Sequence, residues 1–134
     1  MKKKAQTGIE YMIIVGFVTF AIISIFVLAI FYSGQIRDSI KLNYVENFAV
    51  QLISSAESVF FAGEPSKTTL RLYLPEGVQN IEINSNYIMI DVMVSSGLNK
   101  RVFNSRVPLQ GNVAFAEGTK KITLEAKETY VLVS

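Results

Sequence analysis

The chain has 134 residues, of which 50% are hydrophobic and 18% are charged, and it contains neither cysteine nor histidine. This composition excludes disulfide frameworks, zinc sites of the cysteine/histidine type, thiol nucleophiles and histidine-based triads. From Arg37 to Ser134 the charges balance, with 10 basic against 10 acidic residues, and they are interspersed. Since nucleic-acid binders present a clustered basic face, we expect no nucleic-acid binding.

The chain begins with a basic stretch and a long apolar segment. Lys2, Lys3 and Lys4 precede residues 9–36, where Glu10 is the only charged residue, and 26 uncharged residues run from Tyr11 to Ile36. A helix of that length reaches about 39 Å, more than the ~30 Å hydrocarbon core of a bilayer. The hydrophobic region of a secretory signal is commonly about 7–15 residues, so the pattern predicts a membrane span. The lysines favour a cytoplasmic N-terminus and an external C-terminus.

An amphipathic helical pattern follows the apolar segment without a helix breaker. Its apolar residues recur at steps of three, four and one, which is helical spacing. They are Leu42, Val45, Ala49, Leu52, Ala56, Val59 and Phe60. We therefore expect one helix from about Ile9 to Ala62, ended by Gly63 and Pro65.

From Thr68 onward the apolar residues alternate, which is typical of β-strands. We expect strands near residues 69–74, 78–83, 87–94, 101–107, 112–116, 120–126 and 129–133, separated by Gly, Asn and Pro clusters. The spacing indicates a small antiparallel sheet or sandwich. Because roughly 67 residues make a poor independent core, the sheet is expected to pack on the amphipathic part of the helix. The predicted fold class is therefore α+β.

The N-terminal sequence Lys2-Lys3-Lys4-Ala5-Gln6-Thr7-Gly8-Ile9-Glu10 resembles the class III signal of archaeal type IV pilin precursors. In that signal a glutamine follows the cleaved bond and a glutamate lies four residues later. Gly8 and Ile14 stand where the family pattern has a small residue, often serine, and a leucine. The resemblance implies a type IV pilin-like fold, with the helix leading into a β-rich head. It divides the chain into a signal stub (1–5), an assembly helix (6–36), its amphipathic continuation (37–63) and the head (64–134).

The only cleavage site that fits the chain's own pattern is Ala5–Gln6, because it removes the charged stub and keeps the apolar helix. Cleavage there would expose an α-amine at Gln6, close to Glu10. A cut after Gly8, as in bacterial prepilins, would make Glu10 the second residue and break the bacterial spacing. Glu10 has three interpretations: a carboxylate that marks the membrane interface, one that pairs with the Gln6 amine of a neighbouring subunit during assembly, or one that pairs within its own chain.

The resemblance implies a structural subunit that polymerises into a helical filament through residues that include Gln6, Gly8, Glu10 and Ile14. Its expected partners are further copies of the chain, a prepilin peptidase, the membrane before assembly and the pilus assembly machinery. The expected function is adhesion or surface contact, as an extracellular pilus. The alternative is a membrane-anchored extracellular β-domain that does not polymerise. We find no paired-carboxylate, phosphate-loop or nucleophile-elbow pattern, and so expect no enzyme, cofactor or metal site.

Overall fold

The computed structural model describes the backbone of residues 2–134 and the side chains of residues 6–134. Within that range, helix α1 (Lys2–Ala62) precedes seven strands. These are β1 (Lys67–Leu74), β2 (Val78–Asn84), β3 (Tyr87–Val94), β4 (Gly97–Asn104), β5 (Leu109–Gly111), β6 (Gly118–Ala126) and β7 (Val131–Val133). The chain divides into an N-terminal unit ending at Arg37 and a C-terminal unit, Asp38–Ser134. The α+β prediction is confirmed.

Helix α1 ends where the sequence predicts and begins earlier, at Lys2 rather than near Ile9. Its interior contains no proline, so no backbone hydrogen bond is lost. Gly8 lies inside the helix, where glycine costs about 1 kcal/mol relative to alanine. At the other end, Gly63 adopts a φ of +78° and its N–H donates to the Phe60 carbonyl at 3.0 Å. This left-handed glycine cap, followed by the cis Glu64–Pro65 peptide bond, ends the helix.

In the C-terminal unit, α1 buries one stripe of apolar side chains in the same core as both sheets. Val45, Ala49, Leu52 and Ala56 are fully buried and Val59 is nearly so, as predicted, while Leu42 and Phe60 pack at the margin of the core. Phe48 and Ile53 also lie in this core, although the sequence pattern did not single them out. These buried residues follow the helical period of 3.6 residues, so they lie on one face of the part of α1 within the C-terminal unit.

The strands form two sheets, whereas the sequence pattern left open a single antiparallel sheet or a sandwich. The four-stranded sheet has the order β1-β6-β7-β5, and the three-stranded sheet has the order β2-β3-β4. Inward-facing residues of both sheets, such as Leu124 and Ile90, are fully buried. The β3–β4 hairpin turns on Ser95 and Ser96, with Val94 opposite Gly97. Because this loop has only two residues, β4 begins earlier than the predicted 101–107.

Two details of the sheet prediction are wrong. Residues 112–116 form a connection, and the strand lies just before them, at β5. A side chain at Gly111 would collide with the Val133 backbone, so the chain approaches β7 closely there and then leaves the sheet. In addition, β5 and β7 are parallel, whereas we expected antiparallel pairing throughout. Strand β6 runs opposite to β5, and the chain reverses again between β6 and β7, so β7 runs in the same direction as β5.

The edge strands are β1 and β5 in the four-stranded sheet, and β2 and β4 in the three-stranded sheet. On one side, helix residues Ser55 and Val59 line a groove with Lys67 and Thr68 of β1. On the other side, helix residues including Val50 and Glu57 line a groove with β4 and the residues just after it. Helix α1 therefore borders the edge strands β1 and β4.

Candidate functional site

The N-terminal unit exposes apolar side chains around the whole circumference of its helix. Ile9, Met12, Phe17 and Phe20 are each more than half exposed, as are most of the large apolar side chains that follow them up to Ile36. By length and composition, α1 is the one helix in the described part of the chain able to cross a membrane. A helix that is apolar on every face needs an apolar environment, so it is suited to membrane anchoring.

The residues predicted for processing and assembly lie at the start of this helix. Gln6, Glu10 and Ile14 are spaced four residues apart, which places them along one face of α1. Gln6 Nε2 donates to Glu10 Oε1 at 3.5 Å, a long hydrogen bond between exposed side chains. Gly8 lies two positions from both Gln6 and Glu10, so it falls on another face of the helix. The fold therefore brings Gln6 and Glu10 together and places Ile14 one turn further along.

Ala5 lies outside the residues whose side chains are described, as does the rest of the stub (1–5). The backbone is helical on both sides of the Ala5–Gln6 bond. Cleavage at this bond stays a prediction, and so do the roles assigned to Gln6, Gly8, Glu10 and Ile14.

Glu10 is the only formally charged residue between Lys4 and Arg37. A carboxylate carried into an apolar environment is strongly destabilising unless it is paired or neutralised. The Gln6 side-chain amide is a neutral donor, and its hydrogen bond to Glu10 is long, at 3.5 Å. A cation near Gln6 would satisfy the carboxylate far better, since charge-assisted hydrogen bonds are about twice as strong as neutral ones.

Two hydroxyl groups inside the apolar segment, those of Thr19 and Ser24, find partners within the helix. Thr19 Oγ1 donates to the Val15 carbonyl at 2.8 Å, and Ser24 Oγ donates to the Phe20 carbonyl at 2.8 Å. These bonds satisfy the hydroxyls where no water is available. The hydroxyls of Thr19 and Ser24 therefore need no hydrogen-bond partner from a neighbouring molecule.

Sequence reasoning missed the charged residues that fasten α1 to the sheets. Asp38 Oδ2 accepts a hydrogen bond from the Ser95 N–H at 3.0 Å, and Glu57 Oε1 accepts one from the Arg106 N–H at 3.3 Å. Lys41 Nζ forms an ion pair with Glu76 at 3.1 Å. The sequence shows only that these residues flank the apolar stripe, because their partners lie in turns far along the chain.

A surface ion pair joins Glu125, near the end of β6, with Lys127, just after that strand. The Lys127 ammonium donates to Glu125 Oε1 at 2.6 Å, and Lys67 lies 3.6 Å from Oε2 of the same carboxylate. The hydrogen bond from Lys127 holds the pKa of Glu125 below its usual value, and the carboxylate raises the pKa of Lys127. These groups stabilise each other at neutral pH and lie apart from the N-terminal segment.

Among the side chains of residues 6–134, the structure contains no cluster of three or more acidic groups suited to hold a metal ion. Comparison with protein-family models, curated proteins and solved structures finds no match. The findings thus establish a long apolar N-terminal helix followed by β-sheets, with the side chains of Gln6 and Glu10 in contact near the start of that helix.

Proposed function

We propose that this protein is a structural subunit of an archaeal type IV-like pilus that polymerises through its N-terminal apolar helix. The observation that carries the proposal is the single carboxylate, Glu10, at the start of a helix exposed and apolar on all sides. A plain membrane anchor has no need of a carboxylate at that place. A subunit that leaves the bilayer to join a helix bundle can use one to select its register.

The apolar surface of the N-terminal unit suits both the membrane-bound subunit and the subunit assembled in a filament. Before assembly the surface is covered by lipid, and after assembly it is covered by the helices of neighbouring copies. Small residues such as Gly16, Ala21 and Ser24 allow helices to approach closely. Ser24 leaves no unsatisfied hydroxyl at such a contact, since its hydroxyl donates to a carbonyl of its own helix.

Glu10 and Gln6 carry the two charges that pair during assembly. A prepilin peptidase cuts after Ala5, removes the lysines and leaves a positive α-amine on Gln6. The Glu10 carboxylate then pairs with the amine of a neighbouring subunit as both leave polar surroundings. Because an unpaired buried charge is penalised, only the register that joins the two charges is stable. The precursor lies in the cell membrane with its N-terminus in the cytoplasm, and the assembly machinery adds it to an extracellular filament used in adhesion or surface contact.

The proposal is tested by Glu10→Gln, which keeps the shape of the side chain and removes its charge. Breaking a buried ion pair typically costs about 3–5 kcal/mol, so we expect membrane-bound protein but few filaments in the sheared fraction. Glu46→Gln is the matched control, because Glu46 is an exposed acid on the same helix within the C-terminal unit. Normal filament yield from Glu10→Gln would show that charge pairing is not the mechanism.

Mass spectrometry of the surface protein gives an independent check. We expect the mature chain to start at Gln6, or at the pyroglutamate that forms from it. An intact Met1 together with full membrane retention would instead favour the membrane-anchored β-domain that does not polymerise, since an anchor needs no removal of the stub.

A further inference from the structure

A small polar pocket lies in the C-terminal unit, where α1 meets the open edge of β1. Its volume is about 220 Å³, and the buried side chains of Phe48 and Leu72 contribute apolar surface to it. The amide side chains of Asn47 and Gln51, one helical turn apart, supply donors and acceptors from the helix. The pocket thus combines apolar surface with convergent polar groups, as ligand sites commonly do.

Two half-exposed tyrosines form part of the pocket. Tyr44 of α1 and Tyr73 of β1 meet edge to face, with ring centroids 5.3 Å apart. The side chain of Tyr44 is 46% exposed and that of Tyr73 is 50% exposed. Since each already packs against the other, they present aromatic surface to a ligand with little loss of conformational freedom.

The backbone of β1 adds further donors and acceptors. The Ala126 N–H donates to the Ser66 carbonyl, and the pairing alternates from there along β1 and β6. By this alternation, Arg71 and Tyr73 occupy positions that do not hydrogen-bond to β6. Their N–H and C=O groups therefore face the open edge, on the side of the pocket.

The charge beside the pocket is positive. Arg71 lines the pocket and lies directly opposite Lys121 of β6, in a position where facing side chains come closest. None of the ion pairs formed by residues 6–134 includes either of them. Like charges in this arrangement destabilise a sheet, and an anion bound between them would relieve the repulsion.

We propose that this pocket binds a uronic-acid residue of an acidic polysaccharide. The Arg71 guanidinium matches a carboxylate in two-point geometry, and Lys121 adds a second cation. The sugar hydroxyls pair with the Asn47 and Gln51 amides and with the β1 edge, while the apolar face of the ring lies on the tyrosines. The proposed function includes surface contact without naming what is contacted, and this proposal names the ligand. It rests on the proposed function only for the expectation that the pocket faces the outside of the cell.

The test measures binding of a trigalacturonate by isothermal titration calorimetry to the full-length protein in detergent micelles. The carboxyl-reduced neutral trisaccharide and a triglutamate peptide are the comparison ligands. Arg71→Gln should weaken trigalacturonate binding at least about tenfold, since a charge-assisted pair is lost. Lys67→Gln is the matched control, because it removes one positive charge from the outer face of the same strand, outside this pocket. Its effect should stay below about twofold, in keeping with a distant exposed charge.

Two further measurements complete the design. Asn47→Ala should weaken trigalacturonate binding while leaving the weak binding of triglutamate unchanged, because only the sugar offers hydroxyls to the amide. Arg71→Gln should melt at or above the temperature of the parent protein, since it relieves a like-charge pair, so a loss of binding would not reflect unfolding.

The proposal is overturned if trigalacturonate shows no binding at millimolar concentration. It is equally overturned if the neutral trisaccharide or triglutamate binds as well as the uronate, or if Lys67→Gln weakens binding as much as Arg71→Gln. Since solubilised subunits need no filament to bind a sugar, failure here leaves the polymerisation proposal standing. Failure of the Glu10→Gln test would likewise leave this pocket intact.

Discussion

The two parts of helix α1 share one secondary structure and differ in every other respect. Residues 9–36 are apolar around the whole circumference and exposed, whereas residues 42–60 carry a single apolar stripe that is buried against both sheets. Helical hydrogen bonding is satisfied in both parts, so it does not distinguish them. The arrangement of side chains decides which part of the helix belongs to the core of a folded unit and which part requires an apolar environment.

The largest expected effect comes from separating the sheets from the buried stripe. A fragment starting at Ile36 should be soluble and melt cooperatively, whereas one starting at Thr68 should aggregate or stay disordered. The shorter fragment lacks Leu52, Phe48 and the other helix residues that complete the core. Circular dichroism and thermal melting of the two fragments check this, and a similar melting temperature for both would contradict the shared core.

A matched pair of substitutions compares the two parts of the helix directly. Leu52 is fully buried in the C-terminal unit, while Leu28 is 58% exposed in the N-terminal unit. Leu52→Ala should lower the free energy of unfolding of the C-terminal unit by about 2–5 kcal/mol, because it leaves a cavity in the core. Leu28→Ala in the full-length protein in detergent should leave that free energy unchanged. Chemical denaturation of both variants measures the difference, and equal effects would show that the two parts are not energetically separate.

A smaller effect is expected at Asp38, the first residue of the C-terminal unit. Its carboxylate holds the Ser95 N–H in the β3–β4 turn. Asp38→Ala should destabilise the C-terminal unit by about 1 kcal/mol, as expected for one exposed hydrogen bond. Glu46→Ala is the control, since it removes an exposed acid from the same helix, and amide hydrogen exchange at Ser95 reports the lost contact. Unchanged exchange at Ser95 would argue against this anchor.

The smallest effect is expected from the surface pair of Glu125 and Lys127. The folded pKa of Glu125 lies below the ordinary value of 4.5, so its contribution is present above that pH and is lost as pH falls through the folded pKa. The folded pKa of Lys127 lies above 10.5, so its contribution is present below that pH and is lost as pH rises through the folded pKa.

Glu125→Gln should therefore flatten the acid side of the stability profile, and only slightly, because the pair is partly exposed. Glu117→Gln, at an exposed acid in the turn before β6, is the control. Denaturation midpoints between pH 3 and pH 7 give the comparison. A profile unchanged by Glu125→Gln would mean that the pair contributes nothing measurable.

Local patterns in the sequence determined much of this fold. The spacing of Leu42, Val45, Ala49 and Leu52 predicted the buried stripe, and Gly63 with Pro65 predicted the end of the helix. Alternating residues placed β1, β2, β3 and β6 correctly, because side-chain alternation along a strand is a property of neighbouring residues. The N-terminal pattern placed Gln6 close to Glu10, whereas only the structure shows that the helix begins before both residues.

Only the tertiary structure decided which strands lie side by side and what faces the open edges. The parallel pairing joins β5 with β7, which are separated in sequence by β6. A local sequence pattern does not predict pairing between strands that are not consecutive. The partners of Asp38, Lys41 and Glu57 are more than thirty residues away in turns, and Arg71 meets Lys121 only through the register of β1 and β6. The periodicity of apolar residues determines the face of a helix or strand on which a residue lies. Long-range pairing depends instead on how all the elements pack around the core.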